Sequence, residues 1–346
     1  MKKRPSLEEL SKMLGVSKSL ISFVINNKAD RYGISPETKK RVLDTINDLG
    51  FQPNSFARSL RTGRSNSIAL IVPDISNPFY ATVASEVEKL AYDSGYRLFV
   101  SGTKENIQRE EDLLSAFVNG NNADGIILAS CAEDSDGIKK ILPKKFPFVL
   151  IDRVLKDDEL ESVSLNNFDS AKEMTQHLLS IGCKKIGLLA ATPTHISSIK
   201  ERIQGFKSAL EGAKLQVKDN LIKEVPSELM KEKIKDYLKE LILVEKVDAI
   251  FALNNSISKF VLEVLDEMKI SVPSKLKFAS FDDSDYYSLI KPSVSAVAQP
   301  SNEIAAKCFT KLLNAIKRRN NEEVSEEGTR QLVLNASLKI RNSTKA

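Results

Sequence analysis

The chain has 346 residues, 51 Lys and Arg against 46 Asp and Glu, 42% hydrophobic residues, no tryptophan and three cysteines. That length exceeds one compact core and predicts division into domains. No apolar run is long enough for a transmembrane helix. The basic N-terminus lacks the apolar segment and cleavage site of a secretory signal, so a cytoplasmic protein is expected, with no membrane partner. Cys131, Cys183 and Cys308 are isolated, without Cys-x-x-Cys spacing, and read as buried thiols in a reducing compartment. Charge is unevenly divided: residues 1–64 carry 13 basic and 6 acidic side chains, a net of +7, and the remainder has a net of −2. A basic module on a near-neutral body is the footprint of a nucleic-acid binder. A solvated basic tail is the alternative, but the capped helices described next argue against it.

Residues 6–26 read as a helix, a tight turn at Gly15-Val-Ser17 and a second short helix. Ser6 and Glu9 form a capping box, and Leu7, Leu10, Met13 and Leu14 share one face. Gly15 supplies the positive φ that ends the first helix, and Ser17 caps the second. This is the pattern of a helix-turn-helix, whose second helix enters the DNA major groove; an ordinary helical hairpin is the bland alternative. Ser35-Pro-Glu37 opens a third helix, with Val42, Leu43, Ile46 and Leu49 as its buried stripe and Gly50 as its stop.

From residue 66, apolar runs alternate with amphipathic helical patterns. Strands are predicted at Ser67–Val72, Arg97–Ser101, Gly125–Leu128 and Phe148–Ile151, then at Lys185–Ala190, Ala249–Leu253 and Leu276–Phe281. Runs apolar throughout, such as Ile68 to Val72, mark strands covered on both faces, as in parallel sheets. The intervening helices, Phe79–Ser94, Arg109–Asn119, Phe168–Ile181, Ile199–Glu211 and Ser256–Met268, imply doubly wound α/β units. A polar break near Ser162–Asn167 separates two sheets. Open parallel sheets bind ligands outside the carboxyl ends of their strands. Those ends carry Asp74, Ser101, Ser130, Asp152, Arg153, Thr192, Asn254 and Asp282, a set suited to a sugar or related polar metabolite. Each of them alone reads equally well as a helix cap.

The runs Gly15-Val-Ser17, Val24-Ile-Asn-Asn27, Phe51-Gln-Pro-Asn54, Ala57-Arg-Ser-Leu-Arg-Thr-Gly-Arg64, Val72-Pro-Asp-Ile-Ser-Asn-Pro-Phe79 and Phe281-Asp-Asp283 resemble, in order and across nearly the whole chain, the lactose/galactose-repressor (LacI/GalR) family of bacterial transcription regulators. The resemblance implies an N-terminal all-α helix-turn-helix domain (1–52), a hinge helix and linker (53–65) and a two-lobed, periplasmic-binding-protein-like α/β body of doubly wound parallel sheets (66–346). One lobe would hold about 66–163 and 294–324, the other about 164–291 and 328–340. Crossing segments would fall near 163–167, 291–294 and 324–328, with the helix Asn302–Lys317 returning to the first lobe. The implied partners are double-stranded operator DNA, a sugar-like effector and a second copy of the chain.

By its place in the motif, Lys18, Ser19 and Phe23 face base edges, while Ser17, Ser22 and Asn26 are placed for phosphates. The family often has arginine at position 23, which reads guanine. Phe23 instead contacts a thymine methyl or packs inward. The loop Lys28–Gly33 is about three residues longer than usual, giving Arg31 and Tyr32 backbone contacts. The resemblance makes Asn54–Arg61 a hinge helix that orders only in a DNA-bound dimer. Arg58, Arg61 and Arg64 would lie near phosphates, and Leu60 would either wedge into the minor groove or pack on Phe56. In the body, Phe79 or Tyr80 would stack on the effector. Arg202, three before Gly205, would grip it, with Asp152 from one lobe and Asn254 and Asp282 from the other. His195 either lines the cleft or is an exposed loop histidine. Asn255 stands where the family commonly has aspartate, which removes one hydroxyl acceptor. Ligand binding coupled to lobe closure and hinge folding would then set DNA affinity.

Other classes fit less well. A transport receptor would need a signal segment and no DNA module. His177 and His195 lack metal-ligand spacing, there is no phosphate-binding glycine loop and no nucleophile beside a base, so no catalytic residue, metal or cofactor is expected. A regulator answering to a protein partner instead of a metabolite remains a distinct reading. The C-terminus lacks the leucine heptads of a tetramerising helix, leaving a dimer as the default.

Overall fold

A computed structural model describes residues 5–25, 27–51, 64–226, 229–324 and 328–345. The chain divides into two compact units between Ser65 and Asn66.

In the first unit, α1 (Leu7–Leu14) starts at a capping box: the Ser6 hydroxyl accepts from the Glu9 amide at 3.2 Å and the Glu9 carboxylate accepts from the Ser6 amide at 2.6 Å. Gly15 ends it at φ 64°. The Ser17 hydroxyl accepts from the Leu20 amide, opening α2 (Lys18–Ile25). A 3₁₀ turn at Asp30–Tyr32, stopped by Gly33 at φ 63°, leads to α3 (Pro36–Asp48), which Ser35 caps. Leu10, Ile21, Val24, Ala29, Val42 and Phe51 form the core. Met13, Leu43 and Leu49, expected inside, are 66%, 39% and 40% exposed. Three short helices enclose too little volume for the flanks of each stripe, so only the central residues meet.

The second unit contains two six-stranded sheets among the described residues. The strands β1 (Ser67–Val72), β2 (Arg97–Gly102), β3 (Gly125–Leu128), β4 (Phe148–Ile151), β5 (Ser162–Leu165) and β11 (Gln331–Leu334) build the first, in the order β11-β5-β4-β3-β1-β2. The second is β12-β10-β9-β8-β6-β7, from β6 (Ile186–Ala191), β7 (Ile222–Val225), β8 (Ala249–Ala252), β9 (Lys277–Phe281), β10 (Ser295–Ala298) and β12 (Ser337–Lys339). All pairings are parallel except β10 with β12. Each sheet thus repeats one doubly wound order, with the strand direction of travel reversing beside its first strand. The helices α4 (Pro78–Asp93), α5 (Ile107–Asn119), α6 (Asp136–Ile141), α7 (Asn167–Ser180), α8 (Ser197–Gly212), α9 (Met230–Lys239), α10 (Asn255–Glu267) and α11 (Ser301–Arg319) connect and cover them.

The chain passes between sheets at Asn166, between β10 and α11, and between β11 and β12. The second and third crossings differ from expectation. Ser295–Ala298 belongs to the second sheet, not the first, so the second crossing lies at 299–300 instead of 291–294. The third lies at 335–336 instead of 324–328, because β11 returns to the first sheet before β12 joins the second. Small residues in Ser-Ala-Val-Ala and a serine-alternating β5 hide both strands from a hydropathy reading. The Asn166 side-chain oxygen accepts from the Ala336 backbone N–H, and the Asn166 backbone N–H donates to the Leu334 carbonyl. Two of the three crossings are therefore stitched together.

The second lobe is also fastened by its C-terminal segment. Arg341 pairs with both oxygens of Asp283, at 2.8 and 2.7 Å, and the Ser343 hydroxyl donates to the Phe278 carbonyl.

Candidate functional site

The helix-turn-helix places Ser17, Lys18, Ser19, Arg31 and Tyr32 at the surface. Lys18 is held by Glu8 at 3.1 Å, an exposed pair of small worth that yields readily to phosphate. Ser17 is committed to capping α2, and Ser22 is half-buried. Phe23 takes neither expected role alone. Its ring stacks on Tyr32, centroids 3.8 Å apart and planes within 7°. The turn therefore folds back onto α2, and Ala29 anchors it in the core. Replacing Phe23 with leucine keeps an apolar contact but loses the stack. The first unit should lose about 1 kcal/mol and Tyr32 its fixed position, read as sharper exchange broadening at Tyr32 by NMR; an unchanged Tyr32 environment would refute the coupling. Asn26, Asn54, Arg58, Leu60 and Arg61 lie outside the described residues.

In the body, carboxyl ends of strands from both sheets converge. Asp152 follows β4 and Asp282 follows β9; both are buried and both have left-handed backbones, φ 66° and 69°. They are the two buried residues among the described non-glycine residues with positive φ. Strained backbone held inside a protein is a mark of a functional position. Arg202, from α8, reaches between them. Its guanidinium is 3.8 Å from Asp152 Oδ1 and 3.8 Å from Asp282 Oδ1. It also donates to Asn167 Oδ1 at 2.9 Å and to the Leu253 carbonyl at 2.8 Å, and lies 3.7 Å from the Phe281 ring centroid. Tyr80, on α4, donates to Asp152 Oδ2 at 2.8 Å, and Phe79 meets it edge-on. Gln299, in the second crossing, donates to Asp282 Oδ1 at 2.5 Å.

Burial pushes the Asp282 carboxyl above its usual range, opposed by Arg202 and Gln299. Burial, reinforced by the Asp152 charge, pushes the Tyr80 phenol well up, so it stays a donor. Glu201, beside Arg202, is also raised by burial.

Several sequence candidates sit elsewhere or are occupied. Asp74 is partly exposed; burial raises its carboxyl, but the amide and hydroxyl of Ser76 and the Lys104 ammonium outweigh this and lower it, so the group serves its own turn. Asn254 caps α10 through the Ile257 amide. Ser130 donates to buried Glu110 at 2.6 Å. Arg153 makes a two-pronged pair with Glu105, at 2.8 and 2.6 Å, and donates to the Ser130 carbonyl. Burial works against that cation, but Glu105, through two hydrogen bonds, and Asp152 hold it charged. His195 is exposed, with Nε2 3.1 Å from the Cys131 carbonyl of the other lobe. Further bridges between lobes run from the Val154 amide to Ser197 Oγ at 2.8 Å and from Asn77 Nδ2 to Ser256 Oγ at 3.5 Å.

Gln299, Asn167 and Phe281 escaped the sequence reading as site residues. Gln299 obeys the same rule that found Asp282, a polar residue just past an apolar strand; the strand before it was what went unread. Asn255, noted only as a departure, is 2% exposed, with neither amide atom partnered within the protein and its backbone N–H 3.4 Å from Asp282 Oδ2.

A helix-turn-helix unit joined to a two-lobed body with a polar cleft defines a DNA-binding transcription regulator. Residues 6–54 match the bacterial regulatory proteins of the lacI family, and residues 175–344 match a periplasmic binding protein-like domain. The chain is 30% identical over 317 residues to the HTH-type transcriptional regulator KdgR of Bacillus subtilis, covering 90% of this chain and 91% of that one. It is similar to the transcriptional regulator CelR in its cellobiose complex (TM-score 0.68, 25% identity, 98% of this chain and 100% of that one). It also resembles a periplasmic binding protein/LacI transcriptional regulator from Alkaliphilus metalliredigens complexed with D-xylulofuranose (TM-score 0.68, 26% identity, 81% and 100%). The chain belongs to the LacI family of bacterial regulatory proteins. No helix among the described residues is long and apolar enough to cross a membrane.

Proposed function

We propose that the protein is a dimeric, cytoplasmic repressor that binds a palindromic operator and is controlled by a sugar-class metabolite held between its lobes. Lys18 and Ser19 contact base edges, Phe23 fixes Tyr32 beside them, and Ser17, Ser22, Asn26 and Arg31 contact the backbone. Asn54, Arg58, Leu60 and Arg61 form the hinge contact at the operator centre. Asp152, Arg202, Asp282, Tyr80 and Phe79 hold the effector, with Arg153, Ser130, Asn254, His195 and Asp74 supporting or rimming it. The observation that carries this reading is Arg202 standing between a carboxylate of each lobe. A ligand that hydrogen-bonds all three binds the approached lobes better than the separated ones, and so shifts the equilibrium that the DNA module senses. Cellobiose and D-xylulofuranose in the structural relatives support a sugar. The half-exposed Phe99 and Val100 on the edge strand β2, with Tyr92 76% and Leu289 79% exposed, support burial against a second copy.

The test selects bound sequences from random duplex DNA and screens the full chain for thermal stabilisation by sugars. One enriched palindrome, and a sugar that stabilises by several kcal/mol at saturation while changing operator affinity, are expected. Enrichment of no sequence would remove the operator reading; a palindrome whose affinity no sugar alters would leave a regulator answering to another signal.

A further inference from the structure

The charges and unpartnered atoms of the cleft specify more than a sugar-class ligand. Asp152 and Asp282 are 6% and 5% exposed; each stands 3.8 Å from the guanidinium of Arg202 and Asp152 also 3.8 Å from Arg153 Nε, with no close hydrogen bond in any of the three. The other buried cation, Arg153, is taken by Glu105 through two bonds. A further buried acid, Glu110, lies behind Ser130 and receives only neutral donors, the Ser130 hydroxyl and the Cys131 amide. The centre therefore carries excess negative charge. Beside it lies a pocket bounded by Pro78, Phe79 and Thr82 on one side and by Asp282 to Asp285, Gln299 and Ser301 on the other; no lysine or arginine lines it.

Hydrogen-bonding capacity points the same way. Asp152 Oδ1, Asn255 Oδ1 and Gln299 Oε1 are buried acceptors with no hydrogen-bond partner within the protein; Asn255 Nδ2 and Arg153 Nε are buried donors without one, and Ser284 Oγ serves as either. Buried acceptors left unpaired cost free energy, so a ligand that supplies donors is favoured. A neutral polyol offers one O–H per hydroxyl. A carboxylate or dianionic phosphate offers acceptors only, and must also enter the field of two buried carboxylates.

Resting on the effector reading above, we infer that the cleft admits uncharged polyhydroxy ligands and rejects their acid and phosphate counterparts. Asn255 belongs to that selection: an amide beside Asp282 keeps an acceptor without placing a third carboxylate next to the first two.

Two measurements on the full chain test this. The first uses inorganic phosphate, with chloride at matched ionic strength as reference, and compares the unaltered chain with D152N/D282N by thermal shift. Both substitutions keep side-chain shape and remove the two carboxylates that stand 3.8 Å from Arg202. A phosphate-dependent rise in the double variant beyond that of the unaltered chain is expected; equal shifts overturn the inference, because the carboxylates would then not be what rejects anions. The second titrates matched pairs: D-glucose with D-glucuronate, D-xylose with D-xylonate, and D-ribose with D-ribose 5-phosphate. In any pair that binds, the neutral member should bind at least about tenfold tighter. An anion that binds tighter than its parent overturns the inference. If no sugar binds while the phosphate comparison comes out as expected, it is the sugar reading of the effector that fails and not the exclusion of anions.

Discussion

Replacing Arg202 with alanine should destabilise the protein by about 3–5 kcal/mol near neutral pH, because a buried carboxylate loses its cation. The loss should shrink on acidification. In the folded chain burial already raises the Asp282 carboxyl, and Arg202 is the main opposing influence; without it the rise is larger. Between the unfolded value of about 3.9 and the raised folded value, the native state binds more protons than the unfolded state. Stability therefore falls as pH climbs through that window. Urea unfolding of R202A and the unaltered chain from about pH 4 to neutrality checks the sign. A deficit that is independent of pH, or well under 1 kcal/mol, would mean Arg202 is not the shared counter-charge. Lysine at this position keeps the charge but not the planar fork that reaches Asn167 and the Leu253 carbonyl together, and should recover only part of the loss.

Gly205 should be nearly as sensitive, for a different reason. It lies where α8 crosses α7, and a Cβ built on it would sit 2.1 Å from the Phe168 carbonyl oxygen and 3.0 Å from the Lys172 amide nitrogen. Both are backbone atoms, so no side chain can swing aside. G205A must push the two helices apart, at a cost of about 3 kcal/mol, the upper end for overpacking. Because Arg202 is one turn away and Asn167 is the first residue of α7, the same displacement pulls the Arg202–Asn167 bond apart. Melting temperature and effector affinity should fall together; loss of stability alone would show that the crossing is only structural.

The Arg202-to-Gly205 spacing was visible in the sequence, but its cause was not. A guanidinium and a close helix contact on one stretch of helix can be separated only once the partner backbone is known. Strand positions were legible to within about a residue where the runs were wholly apolar, as in β1, β3 and β4. They were illegible in β5, β7 and β10, where serine, lysine or alanine dilutes the signal. That loss left Gln299, just past β10, unread, whereas the crossings at 291–294 and 324–328 were implied by the resemblance and not by hydropathy. Among the polar residues at strand ends, position alone could not separate Asp152 and Asp282, which turn inward on left-handed backbones, from Asp74 and Asn254, which spend their oxygens on local turns and caps. The stacked Phe23–Tyr32 pair was equally hidden, because it depends on how the turn between them folds back.

The stitching of Asn166 to Leu334 and Ala336 has a mechanical consequence. Two connections bound side by side act as a ribbon, stiff to twist and shear but free to bend. The remaining connection carries Gln299, which holds the site carboxylate Asp282. Twisting or sliding one lobe on the other would have to break the two Asn166 bonds, whereas bending at the connections would not. The cleft side chains Asp152, Arg202 and Asp282 take no part in that stitching, so a change among them leaves the fastening between the lobes in place.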